Sequence, residues 1–274
     1  MPEVDLSEFE GQKILNIDGE PTISVMNTGG YISLEQVNGD SELAIVNSAR
    51  VSFANRSRFH NSSCPATALA KDEQGDCDCD DFSLGSTLSG QDVGLLKFLM
   101  RERHHSPLEH TFLRFRIRGP LYVFYEWHRH RIASYNEESA RYTKMRGDFV
   151  SFLPDEIRTQ AGKPGAYEFE TLDESWKREE AKEKIDLAQH FCYRTYLELL
   201  ELGVAKEQAR VVLPVGLMKE QVWSVNLRGF MNFLSLRMDK NAQREIRAYA
   251  HAAYKLALAE FPNTLKAFEG NGWT

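Results

Sequence analysis

Thr111-Phe112-Leu113-Arg114-Phe115-Arg116-Ile117-Arg118 is the stretch on which the fold turns. Leu113, Phe115 and Ile117 alternate with Arg114, Arg116 and Arg118, the two-residue period of a strand, giving one apolar and one cationic face. Gly119-Pro120 is expected to end that strand, and Pro120 suits the first position of a short, aromatic-rich helix over residues 121–129. Such a helix delivers Arg129-His130-Arg131 at its end.

Outward from this segment, Ile23, Val25, Ile32 and Leu34 around Gly29-Gly30 suggest a hairpin over residues 22–38, followed by a short helix over 41–51. Residues 55–90 turn polar and read as an insertion loop, after which 93–100 resume a helical pattern. Between 172 and 202 a long amphipathic helix is expected, with Trp176, Ile185, Ala188, Cys192, Tyr196 and Leu199 near one face and Gly203 as its stop. Further helical runs fit 205–213, 227–238 and 242–261; Trp176, Phe191, Tyr196 and Trp223 are read as core. With no internal repeat, the expectation is one α+β domain over 1–274, a mostly antiparallel sheet flanked by helices.

A chain of 274 residues can bury a substantial core. Its start is acidic where a signal peptide is basic, and no apolar run approaches the roughly 18 residues that cross a bilayer, so a cytoplasmic protein without a membrane partner is expected. A net charge of −7 argues against non-specific binding of long nucleic acid. Cys64, Cys77 and Cys79 lie in one polar stretch with His60 and Asp76 to Asp81, but the spacing is poor for zinc; neither a metal site nor a disulfide framework is expected. Glu109 and His110 lack a metalloprotease pattern, and no G-x-G-x-x-G turn offers a Rossmann cradle.

Arginine, histidine and serine crowd residues 104–142. Basic residues at a helix end gain about 0.3 to 1 kcal/mol from the helix dipole, which is one reading. The other is a phosphate site, because guanidinium forks bind phosphate bidentately. Ser139 with His130 as base resembles an activated serine, but no third member or nucleophile elbow accompanies it; donation to phosphate is the simpler role.

The run RHRIASYNEESARY, in which Arg129-His130-Arg131 is followed after seven residues by Ser139, resembles the signature of the flavin-dependent thymidylate synthases. Also similar are Ala49-Arg50-Val51-Ser52-Phe53, His104-His105-Ser106-Pro107-Leu108-Glu109-His110, Ala209-Arg210 through Leu213-Pro214, and Asn226, Arg228, Asn232 and Arg237. The resemblance implies reductive methylation of dUMP to dTMP, with methylenetetrahydrofolate as carbon donor, NADPH as reductant and FAD between them. It also implies a homotetramer with sites shared between subunits.

Residue by residue, the resemblance places Ser52, His104, Ser106, Arg129, His130, Arg131, Ile132, Asn226, Arg228 and Asn232 near FAD, with Glu137 touching both ligands. It assigns the nucleotide to Glu126, Trp127, Arg129, Glu137, Ser139, Ala140, Arg141 and Arg210, and the uracil ring to Arg237. Arg237 and Ser139 are the residues expected to act most directly; a cation beside uracil favours its electron-rich anionic form. No cysteine lies near the motif to attack the ring, so redox chemistry falls to the flavin. Glu126 stands where the family commonly has glutamine, and His128 where an apolar residue is frequent.

Two other readings remain. A nucleotide- or RNA-binding regulator without catalysis explains the arginines but not the block at 226–237. A flavoenzyme acting on another pyrimidine nucleotide is left open by Glu126 and His128.

Overall fold

In the computed structural model, which describes residues 12–27, 29–38, 42–61, 86–164 and 166–271, the arginine-alternating segment is a strand at the heart of a sheet. The elements before it are strands β1 (Ile14–Ile17), β2 (Glu20–Met26) and β3 (Gly30–Asn38), helix α1 (Glu42–Arg50), the short pair β4 (His60–Asn61) and β5 (Ser86–Thr87), and helix α2 (Gly90–Arg101). Strand β6 (Phe112–Pro120), helix α3 (Leu121–Trp127) and strand β7 (Ser134–Glu137) follow. Then come the hairpin β8 (Arg158–Lys163) and β9 (Ala166–Thr171), helices α4 (Ser175–Glu201) and α5 (Lys206–Ala209), strand β10 (Met218–Asn226), and helices α6 (Leu227–Arg237), α7 (Arg244–Glu260) and α8 (Pro262–Asn271).

The main sheet has the order β1-β2-β3-β6-β10-β7, every neighbour antiparallel. The fold is α+β with an antiparallel sheet flanked by helices, as the patterning predicts. Leu113, Phe115 and Ile117 are fully buried, and with Ile32, Leu34, Trp223 and Val225 they form the apolar face on which α6 and α7 pack through Phe230, Phe233 and Tyr249. The cationic face of β6 is matched: Arg114 and Arg116 donate through Nε to the two oxygens of Glu35 on β3, at 3.0 and 2.5 Å, and Arg118 pairs with Asp148 at 2.8 Å. Its charge is spent within the fold.

The hairpin, α1, α2, α6, α7 and the stop of α4 at Gly203, in the left-handed region at φ +85°, follow the sequence expectations. Several details differ. Strand β6 runs through Gly119 and Pro120, and Pro120 is the N-cap of α3 rather than its first helical residue. Trp176 and Phe191, read as core, are 59% and 58% exposed, because α4 packs on the body mainly through Gln189 and Tyr196. Tyr196 and Trp223 are buried as expected. Strand β10 was not foreseen: Lys219 and Gln221 occupy buried positions and hide its apolar alternation. The β8/β9 hairpin is exposed along most of its length, so burial left no periodicity to read there.

Asp92 ties the first helices together. It accepts from Arg50 Nη2 at 2.6 Å, Ser57 Oγ at 2.7 Å and Ser89 Oγ at 2.8 Å, while Ser89 caps α2 by accepting from the Asp92 amide. Burial is the largest influence on Asp92 and raises its pKa, yet the hydrogen bonds from Ser57, Arg50 and Ser89 together hold it below the usual carboxylate value. Most of the polar insertion, with Cys64, Cys77 and Cys79, lies outside the described residues; Cys192 is a half-buried free thiol on α4. Among the described residues no helix is long and apolar enough to cross a membrane.

Candidate active site

Helix α3 is pinned by Trp127, which is fully buried and stacks on Phe233 with ring centres 4.8 Å apart. The chain leaves the helix there, and Tyr135 of β7 fixes the exit by donating to the main-chain oxygens of His130, at 2.6 Å, and Trp127, at 3.2 Å. Burial pushes the Tyr135 hydroxyl up to about 12, so it stays a donor. The loop Arg129 to Ile132 is thereby presented toward the start of α6. Asn226 caps that helix, its side chain accepting from the Gly229 amide at 2.8 Å. Gly229 permits the approach: a Cβ there would lie 3.1 Å from the Ile132 carbonyl and 2.9 Å from Val225.

Between the two segments lies a cavity of about 550 Å³. Arg129, His130, Arg131, Ile132, Asn226, Arg228 and Asn232 line it, seven of the residues that the resemblance places near FAD, together with His105, Glu109 and Gly229. Arg228 pairs with Glu109 at its mouth. Burial first, then Arg228, lowers the pKa of His105, against an opposing effect of Glu109. Ser52, His104 and Ser106 are not part of the lining: Ser52 sits on the exposed turn Val51–Phe53, and His104 packs its ring edge-on to Phe98. Of the residues that sequence reading missed, Gly229 had a signal in the Asn226-x-x-Gly229 cap spacing; His105 had none beyond its neighbours.

Behind the cavity wall, Arg237 of α6 donates through Nε to His130 Nε2 at 2.9 Å, through Nη1 to Glu126 Oε2 at 2.9 Å and through Nη2 to the Glu126 main-chain oxygen at 2.8 Å. The Glu126 carboxylate thus meets a guanidinium. His130 Nε2 is an acceptor in this arrangement, so the proton of the neutral ring belongs on Nδ1. Burial, and secondarily Arg237, depresses the His130 pKa to about 4. With His130 Nε2 engaged by Arg237 and Ser139 Oγ accepting the Arg141 amide at 3.3 Å, a serine–histidine nucleophile is not assembled.

Ser139 opens a turn closed by the Tyr142 and Thr143 amides on its carbonyl, and Ala140 anchors that turn in a smaller core with Met145, Tyr196 and Ala209. This brings Arg141 and Arg210 to one place: Arg141 Nε donates to Glu207 Oε2 at 3.1 Å and Arg210 Nε to the Glu207 main-chain oxygen at 3.3 Å. Both arginines are exposed. Glu137, at the end of β7, pairs with Lys219 of β10. The Trp127 side chain is fully buried in the main core. His128 Nε2 lies 2.9 Å from Gln221 Oε1, a polar partner that explains how histidine is accommodated there.

The family model described as thymidylate synthase complementing protein matches residues 33–263, and a flavin-dependent thymidylate synthase of Tropheryma whipplei is 44% identical over 196 residues, 68% of this chain and 80% of that one. This chain belongs to the flavin-dependent thymidylate synthase family. A flavin-dependent thymidylate synthase of Thermotoga neapolitana is 37% identical over 239 residues, covering 87% of this chain and 90% of its own. Among solved structures, the UMP/dUMP methylase PolB from Streptomyces cacaoi bound with 5-Br UMP superposes with a TM-score of 0.71 at 30% identity, over 88% of this chain and 94% of PolB. The same methylase bound with 5-Br dUMP gives a TM-score of 0.70. As a flavin-dependent thymidylate synthase family member, the chain carries its cavity and its arginine cluster on a shared fold.

Proposed function

We propose that this protein methylates the uracil ring of dUMP to give dTMP, with FAD as cofactor, methylenetetrahydrofolate as carbon donor and NADPH as reductant. The observation that supports this most is the position of His130, a residue of the cavity lining whose Nε2 receives Arg237. The cavity and the residues read as nucleotide-binding therefore share a wall. The donor set suits FAD: Arg129, Arg131 and Arg228 offer guanidinium forks to a diphosphate, and Asn226 and Asn232 offer amides to polar heterocycle edges. The bound flavin supplies the redox chemistry that protein side chains lack.

The chain's own residues bind and polarise. Arg237, held by Glu126 and His130, keeps two N–H groups free for the uracil ring and favours its anionic form, which makes carbon 5 more nucleophilic. Arg129, Arg141 and Arg210 take the phosphate, Ser139 donates to it, and the main chain at Ala140 completes the turn around it. Glu137 lies between nucleotide and flavin. Ser52, His104 and Ser106 meet the flavin across a subunit boundary in a homotetramer, a reading supported by their absence from this chain's own cavity lining and by the exposed Trp176 and Phe191 on α4. The enzyme acts in the cytoplasm on small molecules.

A second substrate, UMP, is favoured by the similarity to a protein named as a UMP/dUMP methylase. The deciding experiment is anaerobic oxidation of the reduced flavoprotein by methylenetetrahydrofolate with dUMP or with UMP. dTMP formed in step with flavin reoxidation supports the first reading, methylated UMP the second. Bound flavin with neither product refutes both.

A further inference from the structure

We propose that Lys219 is a positioning residue for Glu137, holding and neutralising the carboxylate assigned above to both nucleotide and flavin; this rests on the function proposed above. Lys219 is an unusual occupant of its place. Strand β10 is an interior strand, flanked by β6 and β7, and Lys219 shares its buried face with Gln221, Trp223 and Val225. An ammonium taken out of water is costly unless it is paired. Its side chain is 10% exposed, and its ion-pair partner among the described residues is Glu137, 27% exposed. The lysine is thus enclosed and the carboxylate partly open.

The sheet directs that opening. Glu137 is in register with Gln221, two residues from Lys219, and the next amide, Glu138 N, donates to the Glu220 carbonyl at 2.9 Å. Strand β10 therefore fixes the main chain at 137–138 and, through Lys219, the Glu137 side chain, immediately before Ser139 and Arg141. Glu220, on the opposite face, engages Arg116 and Arg146, each at 3.6 Å, and does not compete for Lys219. A bare carboxylate at this junction would repel a nucleotide phosphate. Paired with Lys219 it is neutral as a unit and can still accept a hydrogen bond from an uncharged donor of the ligand, a sugar hydroxyl or a ring N–H.

The test is a double-variant cycle on the flavin-loaded oligomer, with dUMP affinity measured by titration calorimetry for Lys219→Met, Glu137→Gln and the two combined. Lys219→Met should weaken dUMP binding about tenfold, because it leaves Glu137 charged and unpaired. The combined variant carries no unpaired charge, should fold best among the Lys219 replacements, and should bind dUMP no worse than Glu137→Gln alone. Unchanged affinity in Lys219→Met, or single-variant losses that multiply in the combined protein, would overturn the assignment while leaving the nucleotide reading intact. Failure of the flavin-loaded wild type to bind dUMP would overturn both.

Discussion

Arg237 engages Glu126 twice, through Nη1 to the carboxylate and Nη2 to the main-chain oxygen, while its Nε reaches His130. One guanidinium thus spans the end of α3 and the loop that lines the cavity. Lysine cannot reproduce three in-plane bonds. Arg237→Lys is expected to slow dUMP-dependent flavin reoxidation roughly 100-fold in single-turnover stopped flow and to leave reduction by NADPH near the wild-type rate. Glu126→Gln keeps an acceptor oxygen and should be much milder than Glu126→Ala. Equal rates for Arg237→Lys and wild type would remove Arg237 from the chemistry.

Burial and Arg237 hold His130 neutral, with a pKa of about 4, whereas the unfolded chain takes up that proton near the ordinary histidine value of about 6.5. Between these values the unfolded state binds more protons, so stability rises with pH across the window and is lost on acidification through it. Melting temperature measured from pH 4 to 7 should climb less steeply in His130→Gln than in wild type. Parallel curves would show that His130 does not carry this dependence.

Asp92, 1% exposed, is expected to be among the most sensitive positions for stability. Asp92→Ala leaves Arg50 without its carboxylate and removes the acceptor for Ser57 and Ser89, a loss of about 3 kcal/mol by urea denaturation. Its folded pKa is depressed, so its contribution is present above the unfolded value and falls away as pH drops through the folded one. A change below about 0.5 kcal/mol would mark the network as dispensable.

Arg210→Ala should raise KM for dUMP by about tenfold or more while kcat changes little, since loss of a phosphate contact reduces ground-state and transition-state binding alike. Steady-state kinetics at two salt concentrations would also reveal a weaker salt dependence. A fall in kcat with KM unchanged would instead place Arg210 in the chemical step.

Leu187 and Phe191 are 68% and 58% exposed, four residues apart on one side of α4. Replacing both with aspartate is expected to yield a smaller oligomer by light scattering, with lower activity if sites are shared. A variant that keeps the wild-type mass would move the subunit contact elsewhere.

The central strand is legible in local sequence, because alternating Leu113, Phe115 and Ile117 can bury together only on one face of a sheet, and so is the motif loop that follows Trp127. The resemblance to a known family, carried by the long spacing from Arg129 to Ser139 and by the blocks around it, grouped ten residues near FAD, and seven of them line one cavity. The rest depends on contacts between distant segments. Strand β10 was hidden because buried Lys219 and Gln221 read as surface residues until Glu137 and His128 supply their partners. Trp176, read as core, is left in solvent, while Trp127, assigned to the nucleotide by resemblance, is enclosed by Phe233 and Trp223. The alternation on β6 shows a cationic face but not its partners, which are Glu35 and Asp148. Periodicity follows from bonds between near neighbours and is written locally, but the pairing of a charge with a partner some eighty residues away exists only once the chain has folded.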